Sequence, residues 1–163
     1  MNLFSLRDDV EIGRRSAAQV DRQYRTYNDA RVSRIGRQLA ARSTMPNLPW
    51  RFRVVDRPEA NAFALPGGYI YITSGMLRRT RNDSELAGIL AHEVSHVTLR
   101  HGTNQASKAM LARMPLQILS GRLGGGLVGN LAQLGLGFGL NSLFLKYSRS
   151  AETQADVGAV QLM

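Results

Sequence analysis

Residues 92–96 read His-Glu-Val-Ser-His, a spacing that suits the chemistry of a bound metal ion. On a helix, side chains four positions apart lie on one face, so His92 and His96 can each offer a ring nitrogen to the same ion. Zn²⁺ accepts imidazole nitrogens at about 2.0–2.1 Å. Glu93 lies beside the first histidine, where its carboxylate can take a proton from a water that zinc activates. The motif therefore predicts a hydrolytic zinc site rather than two half-exposed surface histidines.

The sequence around this motif is typical of an amphipathic helix. Asn82 is a suitable N-cap, and Glu85 follows three residues later as a capping-box partner. Apolar residues recur at helical spacing to form one stripe, namely Leu86, Leu90, Val94 and Val97. Gly102 is a common type of C-terminal stop. We therefore expect one helix that begins near Asn82, carries both histidines and ends before Gly102.

Two histidines do not complete such a site, because a catalytic zinc usually has three protein ligands and an open position for water. The chain has three His and no Cys, and no Asp or Glu occurs between residues 103 and 151. Glu152 and Asp156 are the nearest downstream carboxylates, four residues apart on one helix face. Either can bind zinc while the other accepts a hydrogen bond from a ligand histidine. His101 is offset by five from His96, which turns it off the shared face, so we expect a helix-terminal histidine stabilised by the helix dipole.

The elements that must position these residues are predicted from periodicity. Residues 8–43 indicate two helices, with apolar faces that include Tyr24 and Tyr27 in the first, and a break at Asn28 and Asp29. Short helices are also expected at residues 76–81 and 103–120, the latter with a bend near Pro115.

Three segments have the character of strands. Residues 51–56 begin with the alternation of a strand, and residues 61–65 and 69–73 look like two more. The turn Pro66-Gly67-Gly68 joins the last two, so we expect a hairpin. The pattern predicts a single α+β domain over residues 1–163, mostly helical with a small mixed sheet.

Composition limits the classes of partner. The net charge is +9, with 21 Lys and Arg against 12 Asp and Glu, which can indicate anionic partners. The Arg residues are spread out without aromatic interleaving, so we favour a solvated surface and expect no nucleic acid. Residues 1–20 contain no apolar stretch of the kind found in a signal peptide.

Residues 123–145 form an unusual segment that carries no charge. By length the segment could span a membrane, but its seven Gly and several amide side chains make a poor lipid-facing helix. We favour a flap near the active site over a membrane- or partner-binding amphipathic hairpin, and both over a true span.

Three segments in order resemble the HtpX-type zinc metalloendopeptidases, metallopeptidase family forty-eight, which also holds the CAAX prenyl proteases and the mitochondrial Oma-type peptidase. They are Asn-Ala-Phe-Ala-Leu-Pro-Gly-Gly-Tyr-Ile at 61–70, the histidine motif with Arg100 and His101, and Tyr147-Ser148-Arg149 with Glu152 and Asp156. Within the family, the chain most resembles the bacterial periplasmic members associated with the outer membrane.

The resemblance implies a zincin-like, gluzincin fold and a zinc metalloendopeptidase that acts on unfolded or misassembled polypeptides. It implies that His92, His96 and Glu152 bind one Zn²⁺. It further implies that Glu93 is the general base and that Asp156 orients a ligand histidine.

The resemblance also implies a substrate-pairing edge strand at residues 61–65 or 69–73. The candidate substrate-binding residues are Asn61, Ala62, Phe63 and Ala64. A periplasmic or outer-membrane-associated location is implied as well, with a contact to the membrane or to an outer-membrane protein through residues 123–145. Family members continue past the second motif, so we expect a chain truncated at its C-terminus and an oxyanion-stabilising residue beyond Met163.

Two other functions stay open at this point. The chain could be a zinc-bound but proteolytically weak chaperone or assembly module. Alternatively, it could be a basic membrane-binding helical protein in which the histidine motif is accidental.

Overall fold

A computed structural model describes residues 2–113 and 147–163 of the chain. The helices are α1 (Leu6–Gln23), α2 (Ala30–Arg42), α3 (Ser74–Arg79), α4 (Asp83–Thr98), α5 (His101–Arg113) and α6 (Arg149–Leu162). The strands are β1 (Thr26–Tyr27), β2 (Arg51–Val55), β3 (Ala62–Leu65) and β4 (Tyr69–Thr73). The predicted flap at 123–145 and the predicted bend near Pro115 lie outside the described residues. Among the helices that are described, none combines the length and the apolar character needed to cross a bilayer.

The four strands form one mixed sheet in the order β1-β2-β4-β3. β2 and β4 run parallel, and the two outer pairs are antiparallel. The predicted hairpin of β3 and β4 is confirmed, and its turn uses Gly67 and Gly68 at φ +83° and +107°, a region that favours glycine. Because β4 has a neighbour on each side, the alternative in which residues 69–73 pair with substrate is wrong. β3 lies at an edge.

Helices cover both faces of the sheet. Ile70 and Ile72 face the cluster that includes α2 and α4, whereas Tyr71 between them faces the cluster that includes α1. This alternation is the two-residue period of a strand with both faces buried. The α+β class with a small mixed sheet is confirmed, and α4 is placed directly against the sheet.

The histidine helix α4 begins as its sequence predicts. The Asn82 side chain caps it by accepting from the Glu85 amide at 2.9 Å. The Glu85 carboxylate reaches back to accept from the Arg81 amide at 2.8 Å, one residue before the cap. The predicted apolar stripe is buried, with exposures of 0% at Leu86, Leu90 and Val94 and 5% at Val97.

The end of α4 differs from the prediction. The helix stops at Thr98, and Gly102 lies inside α5 rather than acting as a stop. Arg100 instead takes the left-handed conformation, at φ +56°. This conformation is unfavourable for a residue with a side chain, but the buried Asp9 holds the Arg100 guanidinium in two hydrogen bonds of 2.7 and 2.8 Å.

The predicted break between the first two helices is confirmed, since Asp29 caps α2 by accepting from the Val32 amide at 2.9 Å. The extent of the first helix was overestimated. Tyr24 is the C-cap of α1, and Tyr27 lies in β1, opposite Val54 of β2. A strand of two residues that depends on a distant partner has no periodicity from which to predict it.

Candidate active site

His92 and His96 project from one face of α4, as their spacing predicts. Their Nε2 atoms are 3.0 Å apart. The His96 side chain is 2% exposed, whereas that of His92 is 24% exposed. The pair therefore lies between the core and the solvent, so that water can reach an ion held by both rings.

Helix α6 packs against α4 and brings Glu152 to this pair. Its first turn is fixed by Ser148, whose side chain accepts from the Ala151 amide at 3.2 Å. Glu152 Oε2 lies 3.1 Å from His92 Nε2, and Glu152 Oε1 lies 3.5 Å from His96 Nε2. In residues 2–113 and 147–163, no other set of three His, Asp or Glu side chains brings its potential ligand atoms within 4.8 Å of one another.

The geometry of these three side chains fits a metal ion the size of zinc. Four ligands at about 2.0–2.1 Å in a tetrahedron are about 3.3 Å from one another. The two Nε2 atoms are 3.0 Å apart, and Glu152 approaches them through both of its oxygens, with Oε2 3.1 Å from His92 and Oε1 3.5 Å from His96. Two imidazole nitrogens and one carboxylate oxygen are also a donor set used in catalytic zinc sites. Lone pairs brought so close repel one another unless they share a cation or a proton.

Asp156 contacts the other nitrogen of His92. Its Oδ1 lies 2.9 Å from His92 Nδ1, and its side chain is 73% exposed. A carboxylate in this position accepts the Nδ1 proton and leaves Nε2 with its lone pair. The sequence alone left two candidates for the third ligand. In the structure Glu152 approaches the Nε2 atoms and Asp156 lies at the opposite edge of the His92 ring.

Glu93 is buried beside the donor atoms, at 8% exposure. Burial, and then the charge of Glu152, raise the pKa of the Glu93 carboxyl to about 8. A cation between His92, His96 and Glu152 would favour the ionised form of the same carboxyl. A carboxyl whose pKa lies near neutral pH is suited to take up and release a proton.

His96 has two aromatic neighbours whose contacts the sequence did not predict. His101 lies off the face that carries the candidate ligand atoms, as predicted, but its Nδ1 is 2.8 Å from His96 Nδ1, a contact that the sequence did not predict. The offset of five assumed a continuous helix, but the chain turns at Arg100. The Tyr147 ring stacks on His96, with centroids 4.2 Å apart. Burial, and then the His92 and His101 rings, lower the pKa of His96 to about 3, so the ring is neutral.

The predicted substrate-binding residues lie on or just before the edge strand β3, which packs against α4. Ala62 begins the strand, and the Asn61 amide before it donates to Thr73 Oγ1 at 3.0 Å. Phe63 packs in the cluster on the α1 side, and Ala64 in the cluster on the α4 side. Because these side chains serve the core, β3 has chiefly its backbone edge to offer to a ligand.

Three known proteins show the relationships of this chain. It is 34% identical over 132 residues to the mitochondrial metalloendopeptidase OMA1 of Schizosaccharomyces pombe, a match that covers 81% of this chain and 38% of that protein. For the protein of the same name from Saccharomyces cerevisiae, the identity is 33% over 123 residues, covering 74% of this chain and 34% of that protein. The beta-barrel assembly-enhancing protease of Yersinia pestis is 43% identical over 70 residues, covering 43% of this chain and 14% of that protein. This chain therefore spans less than two fifths of the length of each of them.

Residues 26–163 match peptidase family M48. The match includes the segment before the histidine helix, the histidine motif and the segment that carries Glu152 and Asp156. The resemblance drawn from those three segments is thus confirmed, together with the zincin-like fold class. This chain belongs to peptidase family M48, a family of metallopeptidases.

Proposed function

We propose that this chain is the catalytic domain of a zinc-dependent metalloendopeptidase in which His92, His96 and Glu152 bind one Zn²⁺. The observation that carries the proposal is the approach of these three side chains from two helices far apart in the chain, with one potential ligand atom of each within 4.8 Å of the others. If the histidine motif were accidental, there would be no reason for the Glu152 carboxylate to lie beside the two histidines. Membership of a metallopeptidase family supports the same reaction.

The residues around the site divide the chemistry between them. Bound zinc supplies Lewis acidity, which polarises the scissile carbonyl and makes water more acidic. Glu93 takes one proton from the water while the water oxygen bonds to the carbonyl carbon of the scissile peptide bond. Glu93 then passes that proton to the amide nitrogen as the C–N bond breaks. Asp156 retains the Nδ1 proton of His92, so that Nε2 stays available as a ligand.

The edge strand β3 is the proposed binding site for the substrate backbone. An extended peptide can add to the edge of a sheet through main-chain hydrogen bonds, with limited dependence on its side chains. Asn61, Ala62, Phe63 and Ala64 form this segment. A site that reads the backbone suits unfolded or misassembled polypeptides, in which the backbone is accessible.

The relatives support a more specific substrate and location. One of them is named for β-barrel assembly, and we extend this to misassembled β-barrel proteins as substrates of this chain and to a periplasmic or outer-membrane-associated site of action. Two others are named as mitochondrial, so their names support the reaction but not this location. A membrane contact through residues 123–145 stays a prediction.

The proposal is tested by measuring zinc content and cleavage of fluorescein-labelled casein together. We expect one zinc per wild-type chain and cleavage that stops with 1,10-phenanthroline and returns with added zinc. Glu93→Gln should keep zinc and lose about 10²–10⁴ in kcat/KM, because the general base is gone. Glu152→Ala should lose zinc itself. Glu11→Gln, which removes a carboxylate that pairs with Arg14 and Arg15 on α1, is the control and should bind zinc and cleave as the wild type does.

Three outcomes would overturn the proposal. Undiminished cleavage by Glu93→Gln would contradict the assigned base. Bound zinc without cleavage by the wild type would favour a chaperone or assembly module. A protein purified without chelator that holds no metal would favour a basic membrane-binding protein.

A further inference from the structure

A row of polar side chains, from the buried His101 to the exposed Gln154, lies behind His96, at the ring edge opposite its proposed ligand atom. His96 Nδ1 is 2.8 Å from His101 Nδ1, and His101 Nε2 is 3.0 Å from Gln154 Oε1. His101 is only 7% exposed. Gln154 comes from α6, between Glu152 and Asp156, so the row joins the helices that carry the candidate ligands.

The hydrogen bonds of this row determine where protons lie. Two facing Nδ1 atoms at 2.8 Å need one donor and one acceptor. Gln154 Oε1 can only accept, so a proton lies on His101 Nε2, and a ring that carries this single proton accepts at Nδ1. His96 must then donate from Nδ1. Its Nε2, which faces His92 and Glu152, is left with a lone pair.

We propose that His101 is a positioning residue of the metal site, which holds His96 in the tautomer whose Nε2 can bind the ion. Gln154 sets the tautomer of His101 in turn. The inference rests on the proposed function in that it takes His96 as a zinc ligand. With the opposite direction of hydrogen bonding, a proton on His96 Nε2 would block ligation.

A sharp turn of the chain at Arg100 brings His101 beside His96. On a continuous helix a residue five positions after His96 points away from it. Here α4 ends, Arg100 takes φ +56°, and α5 starts at His101. Asp9, itself 3% exposed, holds the Arg100 guanidinium at 2.7 Å from across the chain. The contact between the two rings therefore depends on a stabilised, unfavourable backbone conformation.

The difference in burial between His92 and His96 explains why their rings have different hydrogen-bond partners. His92 is 24% exposed and pairs with the carboxylate of Asp156, which is 73% exposed and so stays solvated. The His96 side chain is 2% exposed, and a second carboxylate behind it would lose its hydration. A neutral imidazole accepts the same hydrogen bond without bringing a charge into the interior.

The test combines zinc affinity, measured by competition with a chromophoric chelator, with ¹⁵N NMR of histidine-labelled, metal-free protein. His101→Phe keeps an aromatic ring but has no acceptor. His101→Asn keeps an oxygen near the position of Nδ1. We expect wild-type His96 to carry its proton on Nδ1 and His101→Phe to show a mixture of tautomers with zinc affinity about 10- to 100-fold lower. His101→Asn should stay within a few-fold of wild type.

Several results would overturn the inference. The first is a proton on Nε2 of His96 in the metal-free wild type. The second is His101→Phe binding zinc as tightly as the wild type does, and the third is His101→Asn binding zinc as weakly as His101→Phe does. Should His101→Phe not fold, Gln154→Leu alters His101 without touching His96. Gln154→Leu should leave His96 as a mixture of tautomers and lower zinc affinity several-fold. A wild-type tautomer together with wild-type zinc affinity in this variant would overturn the inference. A wild type that binds no zinc defeats the proposed function, while the NMR measurement still tests the tautomer.

Discussion

Helices α4 and α6 carry the candidate donor atoms, but they are held in the fold in different ways. α4 is buried through large side chains, among them Leu86 and Leu90 at 0% exposure. α6 buries only Ala155 and Ala159, and its Val160 is 77% exposed. The histidines are thus fixed by the core, whereas the carboxylates are held by a helix whose buried side chains are small and whose one large core contact, Leu162, is only partly buried.

Gly158 marks how close that approach is. A Cβ added at this position would lie 2.6 Å from Ser95 Oγ and 2.9 Å from Ser95 Cβ, too near for either. The difference between the helices predicts that the apolar residues of α4 matter mainly for stability, whereas the close contact of α6 with α4 matters mainly for metal binding. Changes in α4 should mainly alter the free energy of unfolding. Changes in the α6 contact should mainly alter affinity for the ion.

The largest expected effect concerns the buried Glu93 on α4. Burial, then the charge of Glu152, raise the pKa of this carboxyl from 4.5 to about 8. The folded protein keeps the proton that the unfolded chain releases near its ordinary pKa. Glu93 by itself therefore lowers the free energy of unfolding of metal-free protein as pH rises between about 4.5 and about 8, by up to about 1.4 kcal/mol per pH unit. Below about 6.5 the lowered pKa of His96 acts in the opposite direction, so the net fall is expected between about 6.5 and about 8.

Glu93→Gln should remove this slope, as measured by urea unfolding in chelator at four pH values from 6.5 to 8. Glu152→Gln, on the more exposed helix, should reduce it only in part because that charge is the smaller cause. If the free energy of unfolding varied with pH in the same way for wild type and Glu93→Gln, the ionisation of the buried carboxyl would not contribute to the pH dependence of stability.

The second comparison is between apolar residues of the two helices. Leu90→Ala should lower the free energy of unfolding by about 2–5 kcal/mol, because it leaves a cavity at a fully buried position. Val160→Ala removes apolar atoms from an exposed position and should change the free energy of unfolding by less than about 0.5 kcal/mol. Urea unfolding of both variants in chelator measures the contrast. Similar losses would mean that α6 is as firmly packed as α4.

The third and smallest effect sharpens the role of the close contact. Gly158→Ala should push α6 away from Ser95 and reduce zinc affinity about tenfold, with a smaller loss of stability. Adding Ser95→Gly makes room for the new methyl group and should restore part of the affinity. Chelator competition measures both variants. An unchanged affinity in the single variant would refute the dependence of Glu152 on this spacing.

The histidine helix and the hairpin could be predicted from the sequence because local signals produce them. Asn82 caps its own helix, the apolar stripe follows the helical period, and Gly67 and Gly68 occupy a turn that favours glycine. The choice between Glu152 and Asp156 could not be made from the residues alone. It depends on the register of α6 along α4, which small residues set without a distinctive pattern.

Other features depend on partners far away in the chain. β1 exists because Tyr27 pairs with Val54, and the left-handed Arg100 is tolerated because Asp9 holds it. A glycine was the expected stop for α4, since glycine adopts that conformation without help. The contact of His101 with His96 follows from this turn, so the sequence could not reveal one without the other.

The ion pair of Asp9 and Arg100 has a consequence for the extent of the working unit. The family match begins at residue 26, yet α1, which ends at Gln23, supplies Asp9. A protein trimmed to the matched range would retain every proposed zinc ligand and the general base, but nothing would brace the bend behind the second histidine. The helix that precedes the matched range therefore supports the bend at Arg100, and shortened versions made for assay should include it.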